Sequence, residues 1–237
     1  MKNKPEKHLQ SLLRTLLRNS TALLLMLGCF SLTPAQAQDV SAIHANPDLF
    51  PAIGPLMART TVIEFADFQC PFCAMTTNLP PWLDRYEAQY GLMFGSAEYV
   101  QSLAEQNQIR FIFVPLHFLN NGQSLESTWA TQAAYCAQNQ ELFWDMHHAI
   151  FAASDDPTEN NGKYSKDNLK TIAASITGMD TESFNSCLDN DETLQKARDV
   201  MNAFFDAGFQ LSTPQFWVND RQIDPTIDAL RSAIEGQ

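Results

Sequence analysis

Apolar residues follow two different spacings along this chain. Thr60 to Ala66 (TTVIEFA) is apolar at most positions and rich in β-branched residues, which predicts a strand buried on both faces. Ile109 to Phe118 (IRFIFVPLHF) repeats that texture and predicts a second buried strand. From Gln123 to Phe209 the spacing is helical almost throughout, with breaks expected at 155–162 and at Gly178. Gly208 is placed to end the last of these helices in a left-handed conformation. Extended texture returns at Gln215 to Asn219 (QFWVN). A turn at Asp220-Arg221 then leads to a closing helix, with Asp224 as N-cap and Pro225 at its first position.

Strand, helices and strand again predict an α/β domain over 60–237 with a helical insertion at about 123–209. After the first strand, a helix opens at Pro71 and is expected to run until Pro80-Pro81 interrupts it. Glu87 to Gln108 is long for a connection and predicts an extra helix. Residues 38–59 read as an N-terminal extension, and no repeat or low-complexity tract is present.

The first 37 residues follow a different logic. Lys2, Lys4, Lys7, Arg14 and Arg18 form a basic region, Ala22 to Leu27 a short apolar core, and Ala35-Gln36-Ala37 a small-residue cleavage site before Gln38. That apolar core is too short for a stable membrane anchor. The segment therefore reads as a cleaved signal peptide, and a lipid-anchored form through Cys29, which follows Leu27-Gly28, is the alternative. Cleavage at Ala37 leaves 200 residues with ten basic and 26 acidic side chains, a formal charge of −16. Such a balance disfavours nucleic acid and anionic membrane surfaces as partners.

Four cysteines remain beyond the signal: Cys70, Cys73, Cys136 and Cys187. In an exported chain an even number favours disulfides over thiols. Three readings compete for Cys70-Pro71-Phe72-Cys73. A metal site needs further soft or imidazole ligands at short spacing, which Cys136 and Cys187 do not offer. A structural disulfide across three residues would restrict the unfolded chain little. A redox pair needs this geometry, with the first sulfur exposed at a helix N-terminus, where backbone amides favour thiolate, and the second one turn inside to resolve a mixed disulfide. Strand, C-x-x-C and helix in succession favour the redox reading. Glu64, six positions before Cys70, then becomes a candidate proton acceptor buried beneath the pair, as against a solvated strand-edge acid. Phe72 between the cysteines is expected to form an apolar lip.

The segments "VIEFADFQCPFC", "AAYCAQNQELFWDMHHAIF", "FNSCLDN" and "STPQFWVND" together resemble the exported DsbA-like thiol-disulfide oxidoreductases of the thioredoxin superfamily. The resemblance spans residues 60–235. It implies a thioredoxin-like fold with an inserted helical domain, Cys70 as the reacting sulfur, Cys73 as the resolving sulfur and Glu64 as the buried acid. It further implies that Thr213-Pro214 faces the pair, that the proline is cis, and that the Thr213 backbone can pair with an extended substrate. A structural disulfide between Cys136 and Cys187 is also implied, against two buried and inert thiols. The well-known oxidase of the family carries histidine where this chain has Phe72, so strong oxidising power does not follow from the resemblance.

The expected function is that of a periplasmic, monomeric dithiol oxidase acting on unfolded exported proteins and re-oxidised by a membrane redox partner, with no cofactor and no metal. A disulfide reductase or isomerase with few clients is the alternative within the class. A thiolate metal carrier is the alternative outside it. His117, His147 and His148 are expected to be structural, and Asp155, Asp156 and Glu159 a solvated turn.

Overall fold

The structure, a computed structural model, describes residues 38–44 and 46–236. The signal-peptide reading of residues 1–37, with Cys29, lies outside the described residues. Among those described are five strands in one sheet: β1 Ala52–Ile53, β2 Thr61–Asp67, β3 Arg110–Leu116, β4 Gln215–Val218 and β5 Arg221–Ile223. Their order is β1-β3-β2-β4-β5, with β2 and β3 parallel and the other pairings antiparallel.

The continuous apolar run of β2 follows from its place. It is central, paired along its length to β3 (Thr61 opposite Arg110, Asp67 opposite Leu116) and to β4 (Ile63 opposite Trp217), and all seven residues are buried. Alternation along the strand assigns its two faces. Phe68 packs on Phe151, and Glu64 reaches Thr76, on one side. Phe65 packs on Phe204 and Phe209 on the other. Strand β3 tolerates Pro115 because amides alternate in direction. The amide of Phe113 points outward to the Pro51 carbonyl, and two residues later β1 has ended, so no partner loses a donor.

Ten helices are described. Helix α1 is Ser41–His44, and α2 (Pro71–Thr77), α3 (Glu87–Tyr90) and α4 (Ser96–Glu105) connect β2 to β3. Between β3 and β4 lie α5 (Glu126–Gln138), α6 (Phe143–Ala152), α7 (Lys166–Ala174), α8 (Thr181–Asp189) and α9 (Leu194–Asp206), and α10 (Ile227–Glu235) closes the chain. Gly178 and Gly208 both adopt positive φ, 86° and 79°, after α7 and α9. The stretch expected to hold an extra helix carries α3, a 3-10 turn at Gly91–Met93 and α4. Helix α4 buries Ala97, Val100 and Ala104.

Several local expectations are corrected. The strand at Thr60 is not the first, since within the N-terminal extension Ala52 and Ile53 pair with Ile112 and Phe111 as an edge strand. Two residues carry too little pattern to be seen. Helix α2 ends at Asn78, whose φ of 57° is left-handed, before the prolines at 80 and 81 are reached. The late turn falls at Asn219-Asp220, one residue earlier than expected, with Asn219 also left-handed at 55°, a region asparagine tolerates well. Arg221 instead begins β5. Helix α10 starts two residues later than expected, and its N-cap is Thr226, whose hydroxyl accepts from the Ala229 amide. Asp224 offers its carbonyl to the Thr226 amide instead.

Candidate functional site

Strand β2 delivers its last residue, Asp67, to a tight turn in which the Cys70 amide donates to the Asp67 carbonyl (2.9 Å). Cys70 takes the N-cap position of α2, Pro71 fits the first turn because that position has no amide to satisfy, and Cys73 lies one turn inside. Both cysteines are free thiols. The expectation that the first sulfur is exposed is corrected, for Cys70 is only 4% exposed. The reason is the loop before β4, where the Thr213 carbonyl lies 3.5 Å from Cys70 Sγ and the Thr213-Pro214 bond is cis.

The two thiols are electrically unequal. Hydrogen bonding from the Cys73 thiol, then from the Thr213 side chain and the Cys73 amide, holds Cys70 below the ordinary thiol range against burial and the charge of Asp67. Cys73 is pushed well above that range by burial, by its bond to Cys70 and by the charges of Cys70 and Glu64. The chain therefore favours charge on the outer sulfur and a proton on the inner one.

Glu64 is 1% exposed, and burial raises its carboxyl to about 8. Its Oε1 lies 3.1 Å from Thr76 Oγ1, and its Oε2 has no hydrogen-bond partner. Thr76 Oγ1 is also 2.7 Å from the Cys73 carbonyl. One hydroxyl proton cannot serve both acceptors fully, so a protonated Glu64 that donates to Thr76 satisfies the arrangement best. Phe72 is 37% exposed beside the cysteines, and its ring meets that of Tyr90 edge-on at 5.3 Å. The stretch of unassigned purpose thus supplies a wall of the site.

Thr76 and Asp67 were missed from sequence. Helical spacing could have found Thr76, which stands one turn beyond Cys73. Asp67 is a charged residue in a buried strand, the signal that drew attention to Glu64, but it lies closer to a turn and reads as solvated. Away from the site, Cys136 on α5 and Cys187 on α8 form a disulfide. His117 bridges Thr128 Oγ1 and the Ala197 carbonyl, and His148 contacts the Trp144 carbonyl. His147 is caged by Phe68, Phe113, Trp144 and Phe151, with neither ring nitrogen paired. It borders a cavity of about 240 Å³ shared with Phe111 and with Thr77, the last residue of α2. Asp156 caps a turn by accepting from the Thr158 amide and Asn161 Nδ2. Among the described residues no group of three or more His, Cys, Asp or Glu is placed to hold a metal ion, and no helix is long and apolar enough to cross a membrane.

The family described as Thioredoxin matches residues 95–236, more than half of the chain and all of it beyond the cysteine pair. Disulfide bond formation protein D of Bacillus subtilis is 23% identical over 211 residues, covering 84% of this chain and 82% of that protein. The Na(+)/H(+) antiporter NhaA of Herminiimonas arsenicoxydans is 25% identical over 185 residues, covering 78% of this chain, and the chain spans only 24% of that protein's length. Among solved structures, oxidised BdbD from Bacillus subtilis superposes with a TM-score of 0.61 at 22% identity, covering 80% of this chain and 93% of that one. At such identity the likeness shows the fold, which is thioredoxin-like.

Proposed function

The chain belongs to the thioredoxin family, and we propose from that premise that it is an exported thiol-disulfide oxidoreductase that introduces disulfides into other proteins through Cys70 and Cys73. The observation that carries this reading is the placement of the two free thiols, Cys70 at the N-cap of α2 with its Sγ 3.5 Å from the Thr213 carbonyl and Cys73 one turn inside, and the lowered Cys70 and raised Cys73 agree with it. In the disulfide form of the pair, a substrate thiolate attacks Cys70 Sγ, the Cys70-Cys73 bond breaks, and its electron pair leaves on Cys73. The high proton affinity of Cys73 means that it takes up a proton at once. Glu64, holding a proton near neutrality and close enough for its charge to oppose a thiolate at Cys73, is the candidate acid for that proton. The substrate's second thiolate then attacks its own sulfur in the mixed disulfide, and Cys70 leaves as a thiolate. A low leaving-group proton affinity speeds that departure. The substrate has lost two electrons and the pair has gained them, so a membrane redox partner must take them away before another cycle.

The Thr213 carbonyl beside Cys70 supports a substrate strand lying along that loop, and Phe72 supports an apolar contact next to the reacting sulfur. Absence of a histidine between the cysteines tempers the oxidising power and keeps reduction or isomerisation as the second reading. Parallel assays on reduced and on scrambled ribonuclease, with the potential of the pair measured against glutathione, separate the two. Activity on the reduced substrate that disappears in Cys70→Ser is expected. Activity confined to the scrambled substrate, with a potential near that of thioredoxin, would overturn the oxidase assignment.

A further inference from the structure

Asp67 is fully buried and takes part in no step described above. Its carboxylate accepts four hydrogen bonds: Oδ1 from the Gln69 amide (2.9 Å), and Oδ2 from the amides of Phe118 (3.0 Å) and Leu119 (3.1 Å) and from Ser127 Oγ (2.6 Å). No lysine or arginine pairs with it among the described residues. The donors on both oxygens specify a carboxylate, because an asparagine would have to turn its amide group towards at least one N-H. Gln69 extends the network by donating to the Leu119 carbonyl (3.3 Å) and accepting from the Asn160 amide (2.7 Å), while Asn160 Nδ2 also donates to Leu119 (2.9 Å). Both residues flanking the turn into Cys70 are thereby fastened to α5 and to the loop before α7. Glu64 and Asp67 stand three apart on β2 and so serve opposite faces of the sheet, one beneath the inner sulfur and one towards the helical segment.

We infer that Asp67 is a positioning residue for Cys70: a buried anion, specified by its donors, that pins the turn carrying the reacting sulfur to the helical segment and opposes negative charge on that sulfur. The inference rests on the exchange reading above. Titratable groups on the neighbouring elements are Cys70 and Cys73 on α2, Glu64 on β2, His117 ahead of the receiving loop, Glu126 beside Ser127, Asp155, Asp156, Glu159 and Lys163 on the loop before α7, and Tyr164, whose hydroxyl feels the Asp67 charge. The lysine among them, Lys163, donates to the Asp156 carbonyl and makes no ion pair with Asp67. Burial, opposed first by the Ser127 bond, raises Asp67 to about 6, so it is charged at neutral pH and neutral in mild acid. Loss of that charge lifts a restraint on the Cys70 thiolate. The effect is reciprocal, since a thiolate at Cys70 disfavours the Asp67 anion by the same free energy.

Two titrations of the full chain test this, because whichever group ionises second carries the displacement. One follows thiolate absorbance of Cys70 in the dithiol form of the unmutated protein and of Asp67→Asn. The other follows the Asp67 carboxyl by carbon NMR in the dithiol and disulfide forms. The expected result is a shift of about one pH unit in one of them. Cys70 ionises lower in Asp67→Asn, or the Asp67 carboxyl titrates higher in the dithiol form. Should Asp67→Asn fail to fold, Ser127→Ala removes one donor, raises Asp67, and moves Cys70 in the same direction by less. A Cys70 titration unmoved in every folded variant, with an Asp67 carboxyl indifferent to redox state, would overturn the inference. An unmutated protein without exchange activity would sink the exchange reading and leave both titrations readable.

Discussion

Cys70 and Cys73 stand at the tip of one helix, whereas Cys136 and Cys187 join two helices across 51 positions of sequence. Both pairs are buried, so burial alone does not separate a reactive pair from an inert one. What differs is the company each pair keeps. The first is set at the end of a central strand between two buried acids, under a carbonyl from a distant loop. The second sits among helix side chains, where Thr193 Oγ1 lies 3.6 Å from Cys136 Sγ and Asn139 Nδ2 is 3.9 Å from Cys187 Sγ. A short loop gains little from closure, and a long one gains several kcal/mol. On the function proposed above the first pair opens and closes, while the second is a cross-link.

The largest expected effect breaks the first pair. Cys70→Ser lowers disulfide exchange by about a thousandfold or more, to the uncatalysed level, with the melting temperature of the dithiol form nearly unchanged. Cys73→Ser instead accumulates mixed disulfides with substrate, visible on non-reducing gels. Breaking the second pair gives the mirror image. The double variant Cys136→Ala, Cys187→Ala loses about 4 kcal/mol of unfolding free energy in denaturant titrations. Its exchange rate, read well below its melting point, stays within about twofold of the original. A large loss of exchange in this variant at full folding would remove the distinction between the pairs.

Glu64 sharpens the comparison through pH. Its folded value of about 8 lies above the ordinary carboxyl value of 4.5, so its contribution to stability is complete below 4.5 and is lost as pH rises towards 8. Between pH 4 and pH 7 the unmutated protein should lose about 3 kcal/mol relative to Glu64→Gln, measured as the difference between their urea midpoints. Equal pH profiles would mean that Glu64 is solvated. The smallest effect concerns Phe72. A histidine there places a cationic donor beside Cys70, and Phe72→His should raise its thiolate fraction up to about tenfold at a given pH. Iodoacetamide kinetics read this directly, and an unchanged rate would deny the 72nd position any electrostatic hold on Cys70.

Sequence reading reached the strands with continuous apolar runs and the two sulfurs of the C-x-x-C motif, because those features are local. Strand β1 was not legible, since two residues have no period and their pairing depends on β3, almost sixty residues away. The burial of Cys70 was hidden for a similar reason. It is produced by Thr213, which meets the sulfur only once β4 has docked on β2. Asp67 and Ser127 show the limit most sharply, because a carboxylate's meaning lies in its donors and these come from three separate segments. Resemblance, rather than spacing, pointed to Thr213-Pro214 and to the partnership of Cys136 with Cys187.

The disulfide of the helical segment has a bearing on how each new molecule matures. Four thiols beyond residue 37 can be joined in three ways, and the native chain uses one long-range link while leaving its other two sulfurs able to cycle. Loop closure favours the near neighbours 70 and 73 first, since the entropy lost in closing a loop grows with its length. The link across 51 positions closes the longer loop and, like any disulfide formed from two thiols, needs a two-electron oxidant. On the function proposed above, a newborn copy is thus a client of that chemistry before it performs it.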